Sequence, residues 1–127
     1  MPDPSLLGPE PIIREVMMPR DTNMHGTIFG GVVLSLVDQA AGVVAHARAR
    51  GPVVTVKMEE VIFREPVHVG DLVSVYAEVA SVGRTSMRIR AEVYTTRPQT
   101  GGRTHVTSAQ LTFVAVGPDR RPVPVPA

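Results

Sequence analysis

The stretch Pro19–His46, PRDTNMHGTIFGGVVLSLVDQAAGVVAH, decides how the rest of the chain is read. It opens as a loop, breaks at Gly30-Gly31, and continues as a long apolar helix carrying one carboxylate, Asp38. A helix advances about 100° per residue. With Asp38 at zero, Gly31, Gly42, Ser35, His46 and Gln39 fall within about 100° on one side. Val32, Val33, Leu34, Leu36, Val37, Ala40, Ala41, Val43, Val44 and Ala45 fill the remainder. That apolar arc of about 220° exceeds the stripe of an ordinary surface helix, so the spacing predicts a helix mostly wrapped by other structure. The positions three and four away from Asp38 are Leu34, Ser35, Ala41 and Gly42. None is a cation, so no local ion pair accounts for the carboxylate. Two readings stand at this point. Asp38 is either a structural acid hydrogen-bonded to a neighbouring loop or chain, or a general base in a cleft.

Outward from this helix, the 127 residues fit one domain, and the net charge of +1 points to no nucleic-acid or acidic partner. With no cysteine there is neither a disulfide framework nor a thiol nucleophile, and a reducing cytosol fits. The opening residues MPDPSLLGPEP lack the basic start and apolar core of a signal peptide, and the apolar segments read as too short for a membrane span. Lys57 is the only lysine; every other basic side chain apart from histidine is arginine. Twelve prolines gather mostly near the ends. This composition fits a thermophile, and GC-rich coding explains the arginine bias equally well.

Residues 1–11 read as an extended segment and 117–127, GPDRRPVPVPA, as a Pro-rich tail without fixed structure; the domain lies between, over 12–116. Ile12 to Met17 is a short candidate strand. The helix runs from Gly30 or Gly31 to about Arg48, stopped by Gly51-Pro52. After it the period changes to two. A strand from Val53 to Phe63 is interrupted at Glu60, with Val54, Val56, Met58 and Ile62 on one face. Val73, Val75, Ala77 and Val79 share a face of the next strand. Met87, Ile89, Ala91 and Val93 share a face of its hairpin partner across Gly83-Arg84-Thr85. A last strand runs from Thr104 to about Val116. The fold class is α+β: one long helix along a curved antiparallel sheet. Such a sheet leaves an edge uncovered, so an even-numbered oligomer is expected.

At this point the residues resemble a known family. The segment PRDTNMHGTIFGGVVLSLVDQAA is similar to that of the acyl-CoA thioesterases of the hotdog fold, in particular the bacterial short-chain acyl-CoA hydrolases and the cytosolic acyl-CoA hydrolase domains. The block D-T-N-x-x-G-x-x-F-G-G, with an acid seven residues after the last Gly, carries most of the likeness. VTVKMEEVIFREPVHVGDLV, VASVGRTSMRIRAEVY and THVTSAQLTFVAV follow in the expected order, so it covers about Arg14 to Val116. The resemblance implies a hotdog fold and hydrolysis of acyl-CoA to free acid and CoA, as part of cytoplasmic fatty acid metabolism. It implies no metal and no cofactor beyond the coenzyme A of the substrate. It also implies sites between paired subunits, with dimers that assemble further, often to hexamers; no nucleic acid or membrane partner is expected.

On that resemblance, Asp38 matches the family's helix acid, acting as general base on water or directly as nucleophile. The Gly31 amide at the helix N-terminus is the expected oxyanion donor, and Asn23 orients water or carbonyl. Asn23 also has a plain reading as an Asx-turn. His25, Gly30, Arg64, Arg84, Thr85 and Ser86 are the expected contacts to substrate and CoA, the arginines by forking onto phosphate. Arg88 and Arg90 read as a solvated face, and His46, His68 and His105 as helix-end or surface positions. The histidines lack the spacing of a zinc site, and Ser35 has no nucleophile-elbow context. Two rivals stay open. One is a hotdog hydratase or dehydratase, whose D-x-N-P-x-H block sets the His one residue later than His25 and carries a Pro where this chain has Met24. The other is a non-catalytic acyl-CoA binder.

Overall fold

The protein is described from a computed structural model over residues 10–127; the segment expected at 1–11 lies outside them up to residue 9. Strand β1 (Ile13–Val16) is followed by a 3-10 turn at Pro19–Asp21. Helix α1 (Gly30–Ala49) leads to β2 (Val53–Phe63), β3 (Leu72–Val82), β4 (Ser86–Thr96) and β5 (Arg103–Ala115). All pairings are antiparallel, in the order β1-β3-β4-β5-β2. α1 lies across one face and meets all four long strands. Its sheet side is built from Val33, Leu36, Val37, Ala40, Ala41, Ala45 and Ala49. The alanines let the backbone approach closely enough for Val37, Ile89, Val93 and Leu111 to be fully enclosed. Each such aliphatic side chain contributes about 1.5–3 kcal/mol.

The helix ends in a way the sequence did not suggest. Arg50, rather than Gly51, takes the left-handed conformation (φ 57°), and its N–H donates to the His46 carbonyl at 2.8 Å. Nor is the helix wrapped all round. Gly31, Ser35, Gln39, Val43, His46 and Ala47 form an open stripe, with Val43 57% exposed. At 20 residues, with a mean hydropathy of 1.3 over its most apolar 18, α1 is long and apolar enough to cross a bilayer by length and composition, contrary to the sequence expectation. Its apolar side is instead packed on the sheet.

β2 also departs from the simple alternation. Register shifts fall at Val56 and around Glu60, and Glu60 takes φ 55°. Each extra residue swaps the faces of the residues after it. Val53, Met58 and Val61 therefore pack on the core, Thr55 pairs with Phe113 on that face, and Val56 and Ile62, expected beside Met58, stand 58% and 46% exposed. β2 is the long edge strand of the sheet, with the short β1 at the opposite edge.

The Pro-rich tail is built into the fold rather than loose. The Val123 N–H donates to the Ala115 carbonyl and the Val125 N–H to the Arg84 carbonyl, at 2.9 and 2.8 Å. Arg48 Nη1 donates to the Pro126 carbonyl, and Val125 packs on the core. The tail closes the end of the sheet nearest the helix C-terminus.

Candidate active site

Asp38 sits half-buried in the middle of α1, on its open stripe. Its Oδ1 accepts a hydrogen bond from Thr55 Oγ1 at 2.8 Å. Thr55 reaches across because the residues before the Val56 bulge keep the Val53 face toward the helix. The sequence reading missed Thr55, since it placed Val54 and Val56 on that face. Gln39 Nε2 donates to Ser35 Oγ at 3.2 Å one turn earlier on the same stripe.

The helix N-terminus carries no side-chain cap; the Val32 N–H donates to the Phe29 carbonyl at 3.0 Å, and the Gly30 and Gly31 amides before it have no intrahelical acceptor. An aromatic ring lies over each glycine, and at Gly31 it leaves no room for a side chain unless the ring moves. A Cβ on Gly31 would lie 2.5 Å from Phe29 Cε1, and one on Gly30 would lie 3.4 Å from Phe63 Cζ. Beside Gly30 opens a cleft of about 350 Å³, walled by Ile28, Val33, Phe63, Pro66 and Val67, with Arg64 and Glu65 at its edge and Thr107 also lining it. The Ile28 N–H donates to the Val67 carbonyl at 2.8 Å, which ties the loop before the helix to the wall after β2.

Asn23 is turned into its own loop. Its Oδ1 accepts from the backbone N–H groups of His25 (2.8 Å) and Thr27 (3.2 Å), and its Nδ2 donates to Thr27 Oγ1 at 3.0 Å. Within this chain the amide thus forms the Asx-turn. His25 is exposed and, with Thr22, Met24 and Phe29, lines a shallow depression of about 580 Å³. Asp21 Oδ2 accepts from the Met18 N–H, so Asp21 is not paired with His25.

Arg64 is already engaged. Its Nε donates to His105 Nδ1 at 3.2 Å and its Nη2 to Ser108 Oγ at 3.1 Å. His105, expected at the surface, is 2% exposed, and its Nε2 lies 2.5 Å from Glu92 Oε2, itself 4% exposed. Because Arg64 Nε can only donate, Nδ1 is the acceptor and Nε2 carries the proton toward Glu92. The cause of this burial is a bulge. Val93 pairs with Thr107 and Tyr94 with His105, which leaves Val106 as the extra residue and turns His105 to the face away from the helix. There it packs on the Tyr94 ring, centroids 4.8 Å apart.

Arg84, Thr85 and Ser86 form the β3–β4 turn. Ser86 pairs with Val114, next to the pair Val53–Ala115. Arg64 follows the other end of β2, a strand spanning about 33 Å. One chain therefore brings Asp38, Thr55 and the glycine turn along one helix face, and sets Asn23, His25 and Arg64 at its start. The Arg84–Ser86 turn stands at the far end. Among the described residues no three His, Asp or Glu side chains gather as a metal would require.

This geometry has known counterparts. The profile of the thioesterase superfamily matches residues 25–102. The acyl-CoA thioester hydrolase YciA of Salmonella typhimurium is 41% identical over 120 residues, 92% of this chain and 90% of that protein. An uncharacterised acyl-CoA thioester hydrolase of Zymomonas mobilis is 44% identical over 117 residues, 92% of this chain and 78% of that one. Among solved structures, a hexameric hotdog fold thioesterase of Campylobacter jejuni superposes with TM-score 0.90 at 41% identity, covering 94% of this chain and 92% of that chain. The single helix on a five-stranded antiparallel sheet is thus the hotdog fold expected from the sequence, and the chain belongs to the thioesterase superfamily.

Proposed function

We propose that this protein hydrolyses acyl-CoA thioesters to a free carboxylic acid and CoA, with Asp38 as general base toward water at an interface between two subunits. The observation that carries this reading is the placement of Asp38. It is a carboxylate with no cationic partner among the described residues, held by Thr55 on the open stripe of α1 beside the free edge of β2. In the reaction, water bonded to Asp38 attacks the thioester carbonyl as the carboxylate takes its proton. The negative charge that develops on the carbonyl oxygen is met by the amide of Gly31 and the dipole of α1. Collapse of the tetrahedral species breaks the C–S bond, and Asp38 returns the proton to the departing sulfur. Thr55 fixes the carboxylate's orientation throughout. The cycle needs no metal and no cofactor.

One length supports placing the site at a subunit interface. Seven residues of helix separate Gly31 from Asp38 by about 10 Å along the axis, near the limit for one carbonyl and one water to bridge. Antiparallel pairing of two β2 edges would lay the helix start of one subunit, with Asn23, His25 and Gly30, beside the middle of the other. It would also carry the second subunit's Arg84, Thr85 and Ser86 toward the cleft of the first, where they can meet the CoA phosphates. The exposed Phe29, Val43, Val56 and Phe63 lie on these elements and would be covered. Hexameric relatives support further assembly of such dimers. The absence of cysteine fits a cytoplasmic setting. The hydratase alternative is weakened because Asp21 and His25 form no pair.

Asp38→Asn tests the assignment. The expected result is loss of at least about a hundredfold in kcat with CoA affinity retained, followed as free thiol released from butyryl-CoA. Turnover near that of the parent would remove Asp38 as the base. Loss of enoyl absorbance by the parent protein without thiol release from saturated substrate would overturn the hydrolase reading.

A further inference from the structure

We propose that the C-terminal segment 122–126 is a strap that fixes the Arg84–Ser86 turn for the nucleotide end of CoA, with Val125 and Arg48 as its positioning residues. This rests on the thioesterase reading and on that turn meeting the CoA phosphates. After β5 the chain reverses over 117–121. The Gly117 N–H donates to the Arg121 carbonyl and the Arg120 N–H to the Gly117 carbonyl, both at 2.9 Å, with Arg120 at φ 65°. Pro122 then pairs with Val116, and the strap runs back along the end of the sheet. Its sequence PVPVP sets a proline at every second position. Proline has no N–H and a fixed φ. The N–H groups of the strap are therefore those of Val123 and Val125 alone. Both are spent inward, on the carbonyls of Ala115 and Arg84 at 2.9 and 2.8 Å. The outer edge offers no donor to another strand, and the prolines lower the entropy lost on docking.

The turn is braced from outside itself. The Ala115 N–H donates to the Thr85 carbonyl at 2.9 Å and the Val125 N–H to the Arg84 carbonyl, beside the turn's own bond from the Gly83 N–H to the Ser86 carbonyl at 2.8 Å. In the β4–β5 turn, among the described residues, the backbone bonds run only between Arg97, Thr100, Gly101 and Gly102. The strap is itself anchored. Val125 packs on the core, and Arg48 donates to the Pro126 carbonyl from the last turn of α1. The Arg84 guanidinium, by contrast, is exposed and has no partner among the described residues. A held backbone under a free guanidinium suits an anion. The Arg84 and Thr85 carbonyls are occupied and do not turn toward phosphate, and the cation is left to fork onto its oxygens. Arg48 lies ten residues beyond Asp38, about 15 Å along the helix axis, so the strap acts on CoA binding and not on the hydrolytic step.

The test is steady-state hydrolysis of butyryl-CoA and of S-butyryl-N-acetylcysteamine, which carries the same acyl group without the nucleotide. The proteins are the parent and full-length Val125→Pro, Arg48→Ala, Arg48→Lys and Arg84→Ala. Val125→Pro removes one N–H from a segment already rich in proline. It is expected to raise KM for butyryl-CoA about fivefold, the value of one net hydrogen bond, while kcat and the kcat/KM of the short thioester move by less than about twofold. Arg48→Ala loosens the anchor and should give the same pattern at smaller size; Arg48→Lys restores a donor and should recover the parental KM. Equal losses on the two substrates in Val125→Pro or Arg48→Ala overturn the proposal, since damage to the fold does not distinguish them. A parental KM for butyryl-CoA in both variants also overturns it. Arg84→Ala keeps the carbonyl that Val125 holds and removes the guanidinium. If it raises KM for butyryl-CoA while the strap variants do not, the turn meets CoA and only the strap falls. If Arg84→Ala keeps the parental KM, the placement of the turn against CoA fails, and the strap with it. Thiol release by the parent is read separately and decides the thioesterase reading.

Discussion

His105 and Thr107 lie two residues apart on β5, and both are almost fully enclosed. They nevertheless belong to different faces, because Val106 between them is a bulge. On the face away from the helix, most polar groups are connected, Arg90 Nε being the buried exception. Glu92 meets His105, His105 meets Arg64, and Arg64 meets Ser108. Arg103 Nη2 donates to the Tyr76 hydroxyl at 2.6 Å, and its guanidinium lies 4.8 Å from the Tyr94 ring centroid. On the helix face, the buried hydroxyls of Thr95 and Thr107 have no hydrogen-bond partner among the described residues. One face connects most of its polar groups, and the other encloses two hydroxyls. Burial alone therefore says little about what a polar residue is for.

The contrast breaks most visibly at His105. His105→Phe keeps a ring against Tyr94 but removes the N–H that Glu92 accepts, leaving a buried carboxylate deprived of it. We expect a loss of about 3–5 kcal/mol, measured by urea unfolding at fixed protein concentration, since self-association contributes to stability. Pairing it with Glu92→Leu removes the charge as well and should recover most of the loss. If the double variant is no better than the single one, the network is not a coupled unit.

Arg103→Ala sharpens the same side with a smaller effect. It removes the cation over the Tyr76 and Tyr94 rings and the bond to the Tyr76 hydroxyl. The expected cost is about 1 kcal/mol, because the guanidinium is in contact with water. Butyryl-CoA kinetics should not follow that loss, as the cluster lies across the sheet from the cleft.

The bulges also mark where the sequence stopped being legible. The β3–β4 hairpin was readable because Val73, Val75 and Ala77, and then Met87, Ile89, Ala91 and Val93, hold strict alternation over most of their length. The α1 helix and its lone acid were readable because Gly30-Gly31 opens it and no local cation explains Asp38. β2 was not. The extra residues at Val56 and near Glu60 exchange its faces, so Val56 and Ile62 were placed inward and Thr55, the partner of Asp38, was passed over. The Val106 bulge hid His105 in the same way. The tail PVPVP reads as free polyproline because its partners, Arg84 and Arg48, are remote in sequence. For Asn23 both readings were available from the sequence, and within one chain the loop takes up the amide. Parity errors propagate along a strand, so one unrecognised bulge misplaces every side chain after it.

The smallest expected effect on stability falls on the helix face, and it has the opposite sign from the first. Thr107→Val deletes a hydroxyl that makes no bond and adds a methyl of similar volume in a wall already lined by Val33, Val67 and Phe63. Nothing is left unsatisfied, and the desolvation cost of the hydroxyl disappears. The variant should be as stable as the parent or more stable by up to about 1 kcal/mol, read from the same urea transitions. If Thr107→Val instead costs as much as His105→Phe, Thr107 belongs with the structural network, and the distinction drawn between the two faces fails.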